Sequence, residues 1–270
     1  MLCEFDYLAP RTLPELFTAL AAGGSDARIL AGGTDLLVNV RAGLATPKIV
    51  VDIKKVAGLD GLSFDEKNGL SIGAAVTINQ LSENPIVREK FALLTACADS
   101  LASYQLRNRA TVVGNIVNAS PCADMAPALL CYQAEVVVTS SSGSRSVPLA
   151  DFFTGVKKTV LVPGEIVEKI LVPASSAGGT AAYEKLKRIK GHDLGIIGVA
   201  MLKQDGLVRI AVSSSAPTPI LVKDCKTSDS PDVIAKAVLD AIKPIDDVRS
   251  SKVYREFMVQ VYVKRLLERV

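Results

Sequence analysis

Residues 173–179, PASSAGG, are small and flexible and form the best linker in the chain. The sequence changes style across it. Before it, short strand-like runs, glycine loops and short helical patterns interleave. After it, residues 181–188, 194–203 and 207–215 read as a strand meander, with Gln204, Asp205 and Gly206 as one hairpin turn. Residues 231–242 and 250–270 then read as two helices, the second marked by an apolar stripe of Val253, Phe257 and Val261. A chain divided this way is a mixed α+β protein in three lobes.

The part before the linker divides again. Thr12, Leu13, Pro14 and Glu15 read as a capping box, and Leu13, Leu16, Phe17 and Leu20 follow at helical spacing until Gly23 and Gly24 end the helix. A short strand at 28–31 runs into Gly32-Gly33-Thr34-Asp35, and KIVVDI at 48–53 is a buried strand. The first 55 residues thus form a small unit around a glycine loop. Beyond them come a strand at 69–76, a second capping box at Thr77 to Gln80, and a helical region from 85 to 101. A short helix at 125–132, a strand at 135–139, a turn at 140–144 and a strand at 165–172 complete the middle.

Composition narrows the chemistry. Lys plus Arg number 31 and Asp plus Glu 28 in 270 residues, a net charge of +3 with no basic block, so a nucleic-acid grip is excluded. Mean hydropathy is +0.31, yet no apolar run approaches the roughly 18 residues of a membrane span. The first residues carry acids where an export signal carries Lys or Arg, so a soluble cytoplasmic protein is expected. With no Trp and 5% aromatic residues, the core must come from Ala, Val, Ile and Leu. The five cysteines lack a C-x-x-C spacing, and His192 is the only histidine, so a zinc site, an iron–sulfur cluster or a Ser-His-Asp triad on this chain is not expected. Redox or group-transfer chemistry would have to come from a bound cofactor.

Two glycine loops could hold an anionic one. Ala31, Gly32, Gly33, Thr34 and Asp35 follow a strand, where glycine lets backbone N–H groups converge on phosphate oxygens. The loop is neither G-x-G-x-x-G nor a Walker loop, and a plain strand-to-helix turn accounts for it equally. Thr111, Val112, Val113, Gly114 and Asn115 repeat the pattern, and Asp124 follows. Thr111 and Asn115 can donate, while Asp124 can accept from ribityl or ribose hydroxyls. Arg107 and Arg109 either add positive potential or lie on a solvated face. Alternation at 183–188 puts Tyr183, Lys185 and Lys187 on one face, so one cation could enter a cleft, although an exposed edge strand reads the same way. His192 beside Asp193 could relay a proton or be a plain turn residue. Cys122 reads as a packing residue rather than a nucleophile.

At these places the chain resembles the FAD-binding medium subunits of the molybdenum hydroxylases, the flavoproteins of carbon monoxide dehydrogenase and xanthine dehydrogenase-type enzymes. The matching stretches are LAGGTDLL at 30–37 with ATPKIVVDI, QLRNRATVVGNIVNASPCADMAPAL at 105–129, YEKLKRIKGHD at 183–193 and DVRSSKVYR at 247–255. The resemblance implies a two-lobed FAD domain of the vanillyl-alcohol oxidase type, with lobes at 1–55 and 56–175. It also implies a C-terminal domain at 176–270 of a three-stranded antiparallel sheet and helices. It implies FAD contacts at Ala31, Gly32, Gly33, Thr34, Asp35 and Leu36, and at Thr111, Val112, Val113, Gly114 and Asn115. Asp124 matches a position toward the ribityl hydroxyls, Ile166 a backbone contact, Lys185 the lysine near the flavin ring, and Leu101 a position near the flavin. Val113 stands where the family's T-I-G-G-N pattern has its first glycine, and a β-branched residue there is expected to leave the loop either looser or differently shaped. The cysteine-rich insertion that carries a 4Fe–4S cluster in some relatives is missing.

The implied function is electron transfer. A molybdenum-cofactor large subunit oxidises the substrate, a 2Fe–2S small subunit relays electrons, and FAD on this chain passes them to an external acceptor. A stand-alone flavin oxidase and a non-catalytic assembly scaffold that has lost FAD are the alternative readings.

Overall fold

The apolar run at 49–51 is built to lie inside a sheet, and the first unit forms around it. In the computed structural model, which describes residues 3–270 apart from the side chains of Lys223 and Asp224, this unit contains β1 (Asp6–Leu8), α1 (Leu13–Gly23), β2 (Ala27–Leu30), α2 (Leu36–Arg41) and β3 (Ile49–Asp52). Strand β3 is central, with β1 and β2 both parallel to it. Parallel neighbours need crossovers, which α1 and α2 supply. Covered on both faces, Val50 and Val51 are fully buried. The expected capping box of α1 is half made. Thr12 accepts from the Glu15 amide at 3.3 Å, but the Glu15 carboxylate accepts from Arg11, at 2.7 Å, rather than from Thr12.

The middle unit contains β4 (Leu62–Asp65), β5 (Gly69–Gly73), α3 (Ile78–Glu83), α4 (Pro85–Lys90), α5 (Ala92–Ser100), α6 (Tyr104–Arg107), α7 (Val112–Val117) and α8 (Ala126–Cys131). It continues through β6 (Glu135–Ser140), β7 (Gly143–Pro148), α9 (Leu149–Phe152), the small hairpin of β8 (Phe153–Gly155) and β9 (Lys158–Thr159), and β10 (Ile166–Val172). Its sheet has the antiparallel order β4-β5-β10-β6-β7. The second capping box is complete, with Thr77 and Gln80 satisfying each other's backbone. The helical region expected over 85–101 holds, as two helices. Phe91 leaves the helical region (φ −134°, ψ +48°) so that its ring can be fully buried against Phe64 and Tyr132. Strand β7 extends well past the expected turn; as a polar, largely exposed edge strand it has no apolar alternation to announce it.

The C-terminal unit contains β11 (Thr180–Leu186), β12 (Ile197–Gln204), β13 (Leu207–Ser213), β14 (Ile220–Lys226), α10 (Pro231–Ala241) and α11 (Lys252–Leu267). The mixed α+β class and the meander hold, but the sheet has four antiparallel strands in chain order, not three. The fourth, β14, follows two prolines, Pro217 and Pro219, which read as loop, and it occupies an edge. Both faces of the sheet are covered: Tyr183, Ala200, Leu202 and Ala211 join the core of the middle unit, whereas Ala182, Val199, Met201 and Ile210 pack with α10 and α11. Two members of the stripe read on α11 face outward, Val253 74% and Phe257 58% exposed, whereas Val261 packs against the core. Its buried face is Arg255, Val259, Tyr262, Val263 and Leu266. No helix among the described residues is long and apolar enough to cross a membrane.

Candidate cofactor-binding site

A cleft of about 370 Å³ runs between the first unit and the middle unit, within the usual size range of small-molecule sites. One wall is the loop after β2, and the other is the start of α7. Ile29, Ile53, Ala74, Leu161 and Val167 give it apolar lining, and Asn118 and Glu165 add polar groups.

The first wall is held from behind. Lys54 Nζ donates to the Ala31 carbonyl at 3.0 Å and to both oxygens of the buried Asp52 at 2.7 Å, while Tyr7 donates to Asp52 at 2.6 Å. Burial raises the Asp52 carboxyl, but the bonds from Lys54 and Tyr7 outweigh it and hold the group below its ordinary value. Gly32 touches the opposite wall: a β-carbon there would lie 2.0 Å from the Arg109 carbonyl oxygen. Gly33 adopts φ +75°, which turns the chain into α2. The amides of Gly32, Gly33, Thr34, Asp35 and Leu36 donate to no acceptor among the described residues, although Leu37 donates to Gly33. A run of N–H groups without acceptors on a glycine turn can form a nest for an anion.

The second wall is a capped helix rather than a loop. Thr111 Oγ1 accepts from the Gly114 amide at 3.0 Å, and a β-carbon on Gly114 would sit 2.6 Å from that oxygen. Val113 lies inside the first turn with no positive φ, and its side chain is buried while still edging the cleft. Of the two effects expected of a β-branched residue, a looser or a differently shaped loop, the first is corrected and the second fits, because position 113 has helical geometry that valine adopts without strain. Asn115 Oδ1 accepts from the Met125 amide at 3.2 Å. At the rim Asn118 Nδ2 donates to Asp35 at 2.9 Å, and Lys157 Nζ donates to Asn118 at 2.8 Å, bridging the two walls.

Of the residues expected at a cofactor site, Ala31, Gly32, Gly33, Thr34, Asp35, Leu36, Thr111, Val113, Gly114, Asn115 and Ile166 line this one cleft. Leu101, Val112, Asp124 and Lys185 do not. Val112 is core, and its amide donates to Val76. The Leu101 carbonyl accepts from Arg107, which also bonds Asn79, so Arg107 is a structural brace. Asp124 and Lys185 form a buried ion pair of 2.7 Å, one residue beyond the Met125–Asn115 bond. Burial raises the Asp124 carboxyl, and Lys185 offsets only part of this. Of the two readings of strand 183–188, inward cation and exposed edge, Lys185 takes the first, with its side chain 3% exposed. Sequence reading missed Asn118, Lys54 and the apolar lining; the DIK tripeptide at 52–54, with a charged pair closing a buried strand, was the available signal for Lys54.

The remaining polar candidates have other partners. Asp193 bonds Arg188 at 3.0 and 3.1 Å, which holds its carboxyl down to about 2, so the His192–Asp193 relay is not formed. Cys122 Sγ accepts from Arg249 at 2.9 Å. No group of three or more His, Cys, Asp or Glu among the described residues is arranged to hold a metal.

The geometry agrees with what the chain is similar to. The family described as FAD binding domain in molybdopterin dehydrogenase matches residues 3–175. The carbon monoxide dehydrogenase medium chain of Hydrogenophaga pseudoflava is 33% identical over 98% of this chain and 96% of its own length. The putative xanthine dehydrogenase FAD-binding subunit of Escherichia coli is 33% identical over 92% of this chain and 90% of its own. A solved structure of carbon monoxide dehydrogenase from H. pseudoflava matches with a TM-score of 0.92 and 33% identity, over 100% of this chain and 98% of that one. With both walls of the cleft inside the matched region, the chain belongs to the family of FAD-binding domains of molybdopterin dehydrogenases.

Proposed function

We propose that this chain is the FAD-carrying electron-transfer subunit of a molybdenum-containing hydroxylase, taking electrons from a 2Fe–2S partner subunit and passing them to an external acceptor. The observation that carries the reading is the glycine turn at 32–36, whose five amides find no acceptor among the described residues, set opposite the capped start of α7 in one cleft. FAD supplies the redox chemistry, because flavins accept and release electrons singly or in pairs. This chain's part is to bind and orient it. The amides of 32–36 hold the pyrophosphate, Thr111 and Asn115 meet its sugar-phosphate portion, and the apolar lining excludes water. Asp124 and Lys185 lie behind Asn115, where the lysine's charge favours negative charge on a nearby ring. Ile166, in the cleft lining, supplies a backbone contact to the cofactor, and Leu101 takes a position near the flavin. The two lobes at 1–55 and 56–175 form the cofactor domain, and 176–270 covers it.

The relatives are called medium chain and FAD-binding subunit, which supports a complex with a molybdenum-cofactor large subunit and an iron–sulfur small subunit. The five cysteines lack the spacing of a disulfide framework, which supports work in the reducing cytoplasm. The test is the visible spectrum of the purified chain after incubation with FAD and gel filtration. A flavin spectrum at about one FAD per chain, with no substrate oxidation until both partner subunits are added, is expected. A colourless protein would favour the scaffold that has lost FAD, and turnover by the chain alone would favour a flavin oxidase.

A further inference from the structure

The segment DVRSSKVYR at 247–255 does not line the cleft, yet it makes a half-buried ionic cluster in the C-terminal unit. One carboxylate, Asp247, binds two guanidiniums: Arg249 through Nε at 3.1 Å and Nη2 at 2.7 Å, and Arg255 through Nη2 at 2.7 Å. It also accepts from the amides of Arg249 at 2.8 Å and Ser250 at 3.2 Å. Five donors on one carboxylate fix both arginines in direction.

What the arginines then reach is the ion pair. Arg249 Nη1 donates to Cys122 Sγ at 2.9 Å and to the Gly195 carbonyl at 3.3 Å. Cys122 stands two residues before Asp124. The Gly195 backbone lies against Lys185, since a β-carbon there would be 3.3 Å from Lys185 Cε and 3.4 Å from Ser214 Oγ. Arg255 Nη1 donates to the Ser214 carbonyl at 2.6 Å, and the Ser214 amide donates to Pro121 at 2.7 Å. Ser214 holds φ +64°, a conformation that persists in a serine only where its surroundings impose it. Segment 121–122, just before Asp124, residue 195, which lies against Lys185, and Ser214, which bonds Pro121, are therefore held by two guanidiniums on one carboxylate.

We infer that Arg249 is a positioning residue, which sets the geometry of the Asp124–Lys185 pair by gripping at once the segment that carries the aspartate and the segment packed on the lysine. The inference rests on the reading of that pair as part of the flavin site for its consequence, but not for its geometry. It assigns DVRSSKVYR the task of tying the C-terminal unit to the cofactor region.

The test uses the full chain with Arg249→Met and Arg249→Lys, and reads the rate of amine methylation at Lys185 by peptide mass spectrometry. Lys54, paired with Asp52 in the first unit, is the internal reference, and Arg269→Met, which breaks the exposed bond to Glu184, is the control variant. Arg249→Met is expected to raise Lys185 labelling about tenfold or more with Lys54 unchanged. Arg249→Lys should fall between it and the parent, and Arg269→Met should match the parent. In variants that hold FAD, the flavin midpoint potential should shift in the same order. Lys185 as protected as in the parent in folded Arg249→Met overturns the inference, and so does an equal rise at Lys54, which would mark a general loosening. If the methionine variant does not fold, the lysine variant decides: parental protection of Lys185 overturns, partial loss supports. Should the parent take up no FAD while Arg249→Met still exposes Lys185, the positioning role stands and the flavin reading falls.

Discussion

At Gly32 two chain segments touch with no space for a side chain, so this one residue sets how closely the walls of the cleft approach. The obstructing atom is a backbone oxygen, that of Arg109, which cannot swing aside as a side-chain tip would. The glycine is therefore needed before any ligand arrives, and not only for close approach of a phosphate. Gly32→Ala is expected to destabilise the protein by about 1–3 kcal/mol, the usual cost of overpacking, and to lower FAD occupancy by forcing the walls apart. Gly61→Ala is the comparison: its nearest neighbour would be 3.8 Å from the new carbon, and a surface-type effect within about 0.5 kcal/mol is expected. Urea midpoints and flavin content of the two variants check this. An alanine at 32 with parental stability would mean the walls are not in contact.

Among the elements, α7 carries the clearest reversal. Read as a glycine loop, the segment makes Val113→Gly a harmless or helpful change. As the first turn of a capped helix with a buried valine, it makes the same change damaging, through lost burial of about 1.5–3 kcal/mol and about 1 kcal/mol for glycine in a helix. Val113→Gly should thus cost about 2.5–4 kcal/mol and weaken FAD binding, by thermal or urea unfolding and flavin titration. Tighter FAD binding would restore the loop picture. The elements that were legible carried strong local chemistry: the Thr77 capping box, the apolar run of β3, the hairpin at 204–206. Those that were missed obey tertiary demands. Phe91 breaks a helix because its ring packs between Phe64 and Tyr132. Strands β7 and β14 lie at edges, where alternation is weak. On α11 the 253/257/261 stripe is as apolar as the face that is buried, and the buried face includes Arg255, which hydropathy assigns to solvent. Only the carboxylate of Asp247 and the carbonyl of Ser214 explain its place.

Across the whole molecule, the C-terminal sheet is shared between two cores, and Arg249 links two ionic centres, the Asp124–Lys185 pair and Asp247 with its arginines, through Cys122 and Gly195. The glycine walls of the candidate site were readable because each is a local motif. The Asp124–Lys185 pair was readable only as two separate positions, since its partners are 61 residues apart and meet through packing. The two centres also respond oppositely to acid. Burial raises Asp247, but bonds from Arg249 and Arg255 outweigh it and hold the carboxyl well below its ordinary value. The unfolded chain then binds its proton first, near pH 3.9, so the stabilisation is complete above that value and is lost as pH falls through it toward the folded value. Asp124 is raised, so between about pH 3.9 and its higher folded value the folded chain holds a proton that the unfolded chain has released. In that window stability rises as pH falls. Asp124→Asn should therefore abolish a gain on mild acidification. Asp247→Asn should cost about 3–5 kcal/mol at neutral pH, by leaving the buried Arg255 without its counter-charge, and should then lose less further stability than the parent between pH 5 and 3. Urea midpoints across that range decide it. An equal acid-induced fall in the parent and in Asp247→Asn would show that the carboxylate ionises no more readily in the fold than out of it, and that the two guanidiniums are held by something else.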